Sequence, residues 1–309
     1  MENKHISVLL NECIEGLNIK QDGIYVDLTL GRAGHSSEIL KRLSPQGLLI
    51  GIDQDKEAIK ESEERLAKIA PNCRLVKSNF LEVKEVLESL KISKVDGILM
   101  DLGVSSPQFD DASRGFSYRY DAPLDMRMNQ DQSLTAAIIL STYSEKELCK
   151  IFQEYGEDKY SYQIAKNVVK ERNIKPIETT FELVEIIKRS KPSKELKKVG
   201  HPAKQVFQAL RIAVNDELNV LYKTLPIAAS LLKKDGRLAV ITFHSGEDKI
   251  VKQIFKSLTV TEGNRYDLPI QEEEKDYYLL NRKVIVPSEK EMEENHRSVS
   301  AKLRILVKK

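Results

Sequence analysis

Ile24-Tyr25-Val26-Asp27-Leu28-Thr29-Leu30-Gly31-Arg32-Ala33-Gly34-His35-Ser36-Ser37 is the stretch whose reading decides the fold. Ile24 to Leu28 is an apolar run broken by one aspartate, and it reads as a buried parallel strand. Gly31 and Gly34 mark a turn, and Ser36-Ser37 lead into a periodic segment, Ile39-Leu40-Leu43, that reads as a helix. Strand, glycine turn and helix bring backbone N–H groups to a point that a polar ligand can approach closely. A second apolar run, Leu48-Leu49-Ile50-Gly51-Ile52, ends in Asp53. An acidic side chain at that strand tip suits the two hydroxyls of a ribose. The stretch therefore points to a ligand that carries a ribose.

The dinucleotide fingerprint G-x-G-x-x-G is absent, because the turn runs Gly31-Arg32-Ala33-Gly34-His35. NAD and FAD lose ground accordingly. A turn of the type D-x-T-x-G-x-x-G with an acid after the second strand is the usual arrangement for S-adenosylmethionine. The turn then faces the methionine moiety, and Asp27 accepts from its ammonium directly or through water. A βαβ unit with no ligand is the plain alternative.

The chain has 309 residues, 41% of them hydrophobic and 31% charged, which suits a soluble globular protein of one large or two unequal domains. No apolar run reaches the roughly 18 residues of a membrane span, and Met-Glu-Asn-Lys-His lacks a signal-peptide core. A cytoplasmic protein is expected. Cys13, Cys73 and Cys149 lie far apart with no C-x-x-C, so neither a metal site nor a disulfide framework is expected. The net charge of +2 announces no global basic field.

Along the chain, helices are expected at Val8–Leu17, Lys56–Ile69 and Val83–Leu90, and strands at Arg74–Val76 and Val95–Asp101. This alternation predicts a doubly wound parallel sheet. From Asp110 to about Lys204 the pattern holds no convincing strand. It reads as helices at Ser144–Glu154, Asp158–Glu171 and Phe181–Lys188, the first opened by the capping-box form Ser-x-x-Glu. Lys188 to Lys198 is a lysine-rich loop, either a phosphate contact or simply solvated. Strand character resumes at Gly236–Phe243 after a Lys-Lys-Asp-Gly turn, a helix is expected at Ile250–Leu258, and the last two strands at Lys283–Val286 and Lys302–Val307. The expected architecture is α/β: a seven-stranded, doubly wound, Rossmann-like class I S-adenosylmethionine-dependent methyltransferase core with an inserted all-α domain. Residues 1–112 and 205–309 form the core, and 113–204 the insertion.

Strand four runs into Asp101-Leu102-Gly103-Val104-Ser105-Ser106-Pro107-Gln108. Ligands of open α/β sheets bind beyond the carboxyl ends of the strands, so this loop faces the cofactor. A polar loop with proline here is typical of enzymes that methylate exocyclic nitrogens. An amine conjugated to a base is a poor nucleophile, because its lone pair is delocalised into the ring. Acceptors on its N–H bonds aim that lone pair at the methyl, in line with the departing sulfur. Asp101 and the hydroxyls of Ser105 and Ser106 are the candidates.

These residues, followed by Arg114-Gly115-Phe116-Ser117-Tyr118 and Pro123-Leu124-Asp125-Met126-Arg127-Met128, resemble the bacterial small-subunit (16S) ribosomal RNA cytidine-N4 methyltransferases. Further matches are His201-Pro202-Ala203, Val206 to Leu218, Phe243-His244-Ser245 with Glu247-Asp248, and Arg297-Ser298 with Ser300 to Arg304. They run from His5 to Arg304. The resemblance implies methylation of N4 of a cytidine in the decoding region, at the P site, of 16S rRNA in the small subunit, with S-adenosylmethionine as donor and no metal. By matched position it implies Ala33, Gly34, His35, Asp53, Phe80, Asp101 and Gln108 at the cofactor, beside Asp27 and Gly31 of the turn. At the RNA it offers Arg114, Arg127, Arg211 and Arg304 as phosphate contacts, His201 and His244 against the base, Asp125 in a substrate wall, and Phe116, Tyr118 and Tyr120 as stacking residues.

The chain departs from the family pattern within motifs. Ala33 stands where the turn usually has glycine, Lys204-Gln205 where Thr-Arg is usual, Gly246 where Leu is usual and His296 where Pro is usual. The rival readings are a divergent paralogue acting on another RNA or on a protein amine, and a non-catalytic RNA-binding or ribosome-assembly protein. Oligomeric state, monomer or homodimer, is left open.

Overall fold

The structure, a computed structural model, describes residues 7–260 and 275–309, without the side chains of Ser106 and Pro107. His5 lies outside the described residues. Strands β1 (Ile24–Asp27), β2 (Leu48–Asp53), β3 (Cys73–Lys77), β4 (Val95–Asp101), β5 (Leu232–Thr242), β6 (Tyr277–Leu279) and β7 (Lys302–Lys308) form one sheet in the order β3-β2-β1-β4-β5-β7-β6. β1 to β5 pair parallel, and β7 lies antiparallel between β5 and β6. The order reverses between β1 and β4, and in open α/β sheets ligands bind beyond the carboxyl ends of the strands at such a switch point.

Among the described residues the helices in chain order are α1 (Leu10–Leu17), α2 (Gly34–Leu40), α3 (Lys56–Leu66), α4 (Val83–Ser89), α5 (Ser106–Asp110), α6 (Ala136–Thr142), α7 (Glu145–Glu154), α8 (Ser161–Arg172), α9 (Thr180–Ser190), α10 (Ser193–Leu196), α11 (Lys204–Asn215), α12 (Glu217–Ser230), α13 (Ser245–Thr259) and α14 (Glu289–Glu294). None is long and apolar enough to cross a membrane. The period-two alternation of the strands divides the core between the sheet faces. Val26, Ile50, Ile52, Ile98 and Met100 join one cluster with side chains of α4, α12 and α13. Tyr25, Leu49, Leu99, Ala239 and Ile241 join another with α1 and α2. Burial on both faces explains the near-continuous apolar runs of these strands.

The chain divides into two units, 1–103 with 218–309, and 104–217. The expected boundaries at 112/113 and 204/205 shift for a packing reason. Val104 packs on the helical cluster, and Val206, Phe207, Ala209 and Leu210 of α11 are part of it, with Phe152, Ile164 and Leu183. α11 is thus a helix of the second unit. α7 opens with the capping box read from the sequence: Ser144 takes the N–H of Glu147 and Glu147 takes that of Ser144.

Two strand expectations change. Lys283–Val286 makes a single bridge, Ile285 to Leu303, and the edge strand is β6 instead. Val286 is 56% exposed and Pro287, which follows it, has no N–H to donate, so the pairing does not extend beyond Ile285. The Lys-Lys-Asp-Gly turn lies inside β5, where register jumps from Val95–Leu232 to Gly97–Arg237 and Asp235 takes a φ of +61°.

Candidate functional site

Three carboxylates of the sheet unit end adjacent strands, Asp27 on β1, Asp53 on β2 and Asp101 on β4. Each is held in a different way. Asp27 is 2% exposed. Its Oδ2 accepts from Ser36 Oγ at 2.7 Å, and its Oδ1 from the Thr29 N–H at 3.1 Å and Thr29 Oγ at 3.4 Å. Burial raises its pKa and the Ser36 hydroxyl partly opposes this. Asp53 uses both oxygens on backbone: Oδ2 accepts from Gly31 N–H at 2.8 Å and Oδ1 from Asp55 N–H at 2.9 Å. Burial lifts its pKa to about 6, against the pull of those two N–H groups.

Asp101 differs from both. Its backbone N–H donates to Thr29 Oγ at 2.6 Å, but its Oδ1 is buried without a hydrogen-bond partner. Burial raises its pKa to about 6; His35 lowers it, while Asp27 and Glu247 add to the rise. A buried acceptor left open is costly unless something fills it. The three acids together favour a cation and disfavour a phosphate. That again speaks against a dinucleotide.

The turn between β1 and α2 is held from several sides. Gly31 takes a left-handed φ of +50°, its N–H is fixed by Asp53, and its carbonyl accepts from Ser62 of α3 at 2.7 Å. Ala33, also left-handed at φ 55°, ψ 36°, caps α2 and is fully buried. Its methyl packs in the core cluster beside Leu30 and Ile39. A Cβ on Gly34 would stand 1.9 Å from Ser7 Oγ and 3.3 Å from Ser7 Cβ, so any larger residue there has to turn the Ser7 hydroxyl aside. His35 is buried, with Nε2 3.0 Å from the Val8 carbonyl oxygen and Nδ1 3.6 Å from Asp101 Oδ2. Phe80, which opens the 3-10 turn after β3, is half-buried against the cluster that holds Val26, Ile50 and Met100.

Two further residues of this unit had been expected at the RNA. Arg304 is bound through Nε to Asp248 Oδ1 at 2.8 Å, with Lys302 on the same carboxylate. His244 caps α13, its Nδ1 accepting the Glu247 N–H at 3.4 Å. Glu247, 2% exposed, accepts the N–H groups of Phe243 and His244. Thr29, Ser36 and Glu247 are the structural partners that site selection from the sequence missed. Asp27 and Thr29 two apart, and His244 and Glu247 three apart, are the signals that could have found them.

In the helical unit, Ser105 and Gln108 share one turn, the Ser105 N–H donating to Gln108 Oε1 at 3.1 Å. The side chain of Ser106 lies outside the described part. Arg114, expected at a phosphate, is instead 3% exposed and donates to the carbonyls of Arg127 and Met128 at 3.0 and 3.2 Å. Phe116, expected to stack on a base, is instead in the helical core, with the Arg114 guanidinium 6.0 Å from its ring centre. Asp125 and Arg127 bind each other, at 2.7 Å between Oδ2 and Nη2. Arg211 is paired with Glu217 at 2.9 Å. Such internal partners fit order within the fold. His201 stacks on Tyr118, with ring centres 4.2 Å apart and planes at 6°. Burial, with Lys188 and Arg119 nearby, lowers its pKa. Tyr120 is 54% exposed. Among the described residues no cluster of His, Cys, Asp or Glu could hold a metal ion.

The MraW methylase family model matches residues 2–309. Similar curated proteins are the ribosomal RNA small subunit methyltransferase H of Clostridioides difficile, 53% identical over all of both chains, and that of Spiroplasma kunkelii, 56% identical over 99% of each. That of Mesoplasma florum is 54% identical over 99% of each. Among solved structures, an rRNA methylase from Streptococcus thermophilus aligns with a TM-score of 0.45 at 10% identity, covering 98% of each chain. From the full-length family match and these relatives, the chain belongs to the MraW methylase family.

Proposed function

We propose that this chain transfers the methyl group of S-adenosylmethionine to N4 of a cytidine in the decoding region of small-subunit rRNA, in the cytoplasm. Its membership of a methylase family, with relatives of more than half identical sequence named for the small-subunit RNA, supports the RNA as substrate. The observation that carries the cofactor is the trio Asp27, Asp53 and Asp101 around a glycine turn. The residues present fit that group. Asp53, already fixing the turn, keeps lone pairs for the ribose hydroxyls. The buried carboxylate of Asp27 suits a molecule that carries an ammonium.

Bound there, S-adenosylmethionine supplies an electrophilic methyl on a positively charged sulfur. The protein's part is to orient and to accept. Asp53 and the Gly31 turn fix the ribose end, so the other end has one direction in which to lie. Asp101, at the tip of β4, is the acceptor for an N–H of the incoming amine, which localises the lone pair on nitrogen for attack. Ser105 and Gln108, in the following turn, are the next acceptors along the chain.

The test is transfer of labelled methyl from S-adenosylmethionine to small subunits from cells lacking this protein, followed by nucleoside analysis. Label in N4-methylcytidine, lost with Asp101→Ala, is the expected result. Label in another nucleoside or none, with the cofactor still bound, would refute the cytidine assignment.

A further inference from the structure

Ser7, Val8 and Leu9 each hold a different part of the sheet unit. Ser7 packs on Gly34, where a Cβ would stand 1.9 Å from its Oγ. The Val8 carbonyl accepts from His35 Nε2 at 3.0 Å. The Leu9 N–H donates to Oε1 of Glu291 at 2.8 Å, an acceptor 282 positions away in the sequence. The Val8 C=O and the Leu9 N–H belong to one peptide group. A trans peptide is a rigid plane whose two polar ends point in opposite directions. Glu291 therefore grips one end of that plane and His35 the other.

The plane needs holding. Leu9 is a fully buried leucine in the left-handed region, at φ 51° and ψ 36°, just ahead of α1. Its side chain joins the apolar cluster that contains Ala33. Apolar burial is non-directional, so it does not choose how the peptide is turned; the two hydrogen bonds do. Glu291, on α14, is itself anchored. Its N–H donates to Ser288 Oγ at 3.2 Å, and its carbonyl accepts the Asn295 N–H at 2.7 Å. The Asn295 carbonyl takes both the N–H and the hydroxyl of the buried Ser298 at 2.9 Å. The Ser298 carbonyl takes the N–H of Ala301 at 2.7 Å, one residue before β7. A continuous hydrogen-bonded path thus runs from the foot of β7 to His35.

We infer that Glu291 is a positioning residue for S-adenosylmethionine binding: through the Val8–Leu9 peptide it orients the Gly34–His35 backbone that receives the cofactor. The inference rests on the reading of the turn from Gly31 to His35 as the cofactor site. Without the carboxylate, the Leu9 N–H loses its acceptor and the peptide is free to turn toward an unstrained conformation. The Val8 carbonyl then leaves His35. The ligand has to order the turn itself, which weakens binding although no contact to the ligand has been removed.

Calorimetric titration of the full-length protein with S-adenosylmethionine tests this without any RNA. Glu291→Ala should weaken binding at least about fivefold, the lower end of energetic coupling between linked sites. Glu291→Gln, whose amide oxygen still accepts the Leu9 N–H, should stay within about twofold of wild type. A merely structural glutamate would lower the Tm in Glu291→Ala and leave the affinity of the folded protein unchanged, and that outcome overturns the inference. An equal loss in Glu291→Gln and Glu291→Ala overturns it too, since the accepting oxygen would then not be what matters. Coupling is reciprocal, so in the wild type saturating S-adenosylmethionine should slow hydrogen exchange of the Leu9 amide. The factor should exceed that for the amides of α4, whose side chains join the cluster on the other face of the sheet. An equal or smaller factor at Leu9 overturns the inference with no variant involved. Asp53→Ala keeps the two readings apart. Unaltered affinity there would strike the turn as the cofactor site, and this inference with it. Lost affinity there beside wild-type affinity in Glu291→Ala overturns the inference alone.

Discussion

Asp53 accepts the Gly31 N–H at 2.8 Å, so the tip of β2 holds the turn that follows β1. One carboxylate thus serves two purposes, fixing the glycine turn and offering acceptors to a ribose. Asp53→Ala removes both, and S-adenosylmethionine affinity should fall at least about 100-fold, since charge-assisted hydrogen bonds contribute about 1.5–3 kcal/mol each. Asp53→Asn retains one acceptor and should lose less. Calorimetric titration decides it, and an Asp53→Ala affinity within about fivefold of wild type would remove Asp53 from the site.

The raised acids make cofactor binding depend on pH in a definite direction. Asp53 and Asp101 titrate near 6 in the fold, above the unfolded value of about 4. The native chain therefore binds more protons than the unfolded one between those values. Their contribution to stability is fully present below about 4 and lost as pH rises through about 6. A cationic ligand needs the opposite, ionised carboxylates. Asp96 and Asp248, held low by lysine and arginine partners, change only at more acid pH and leave this window clear. The rise in Tm produced by saturating S-adenosylmethionine should accordingly shrink from pH 7.5 to pH 5. An equal rise at both ends would contradict the carboxylate account.

Ala33 sets a smaller balance. A left-handed alanine costs about 1–2 kcal/mol in backbone strain, yet its methyl is fully buried and contributes about 0.8 kcal/mol. Ala33→Gly relieves the first, loses the second and loosens the unfolded chain, so stability should change by less than about 1 kcal/mol. Ala33→Val adds a branched Cβ in the same left-handed conformation and should cost more than about 2 kcal/mol. Urea denaturation of both variants checks the contrast.

The lysines near α10 carry a separable prediction. Lys194 and Lys197 are exposed. If the segment meets RNA phosphates, Lys194→Glu with Lys197→Glu should weaken small-subunit binding about tenfold or more. It should also reduce the salt slope by about 2, one per lost phosphate contact. S-adenosylmethionine binding should be unchanged. Unaltered subunit affinity and salt slope would assign the loop to solvent.

Much of this was legible in the chain because local patterns decide it. The runs Ile24–Leu28, Leu48–Ile52 and Val95–Asp101 are apolar on both faces and flanked by turns, so β1, β2 and β4 follow from composition and length. The acids that end them fall at the carboxyl edge by the same reading. What was not legible depends on partners distant in sequence. Arg114 and Phe116 look surface-functional in the sequence, yet the loop carbonyls of Arg127 and Met128 and the helical core take them inward. Lys283–Val286 has strand-like residues, but pairing across the sheet selected Tyr277–Leu279 instead. The unpartnered oxygen of Asp101 and the contact of His35 with the Val8 carbonyl depend on segments distant in sequence, and no periodicity reports such contacts.

Lys191 shows how far a sequence-level charge run can mislead about one of its members. It belongs to the basic stretch Lys188–Lys198, but its side chain is only 7% exposed. It binds Asp158, itself 1% exposed, at 2.5 Å and the Pro202 carbonyl at 2.7 Å. Asp158 also accepts the Tyr160 N–H at 2.9 Å. Lys191 therefore ties the start of α8 to the segment leading into α11, and no phosphate can reach it without breaking that tie. Lys191→Ala strands a buried carboxylate and should cost about 3–5 kcal/mol, because breaking a buried pair leaves its partner's charge uncompensated. Lys191→Met combined with Asp158→Asn removes both charges while keeping an acceptor for Tyr160, and should cost clearly less than the single variant. Urea denaturation of the two variants measures the difference. A Lys191→Ala protein within about 1 kcal/mol of wild type, but with weakened subunit binding, would return this lysine to the RNA-facing set.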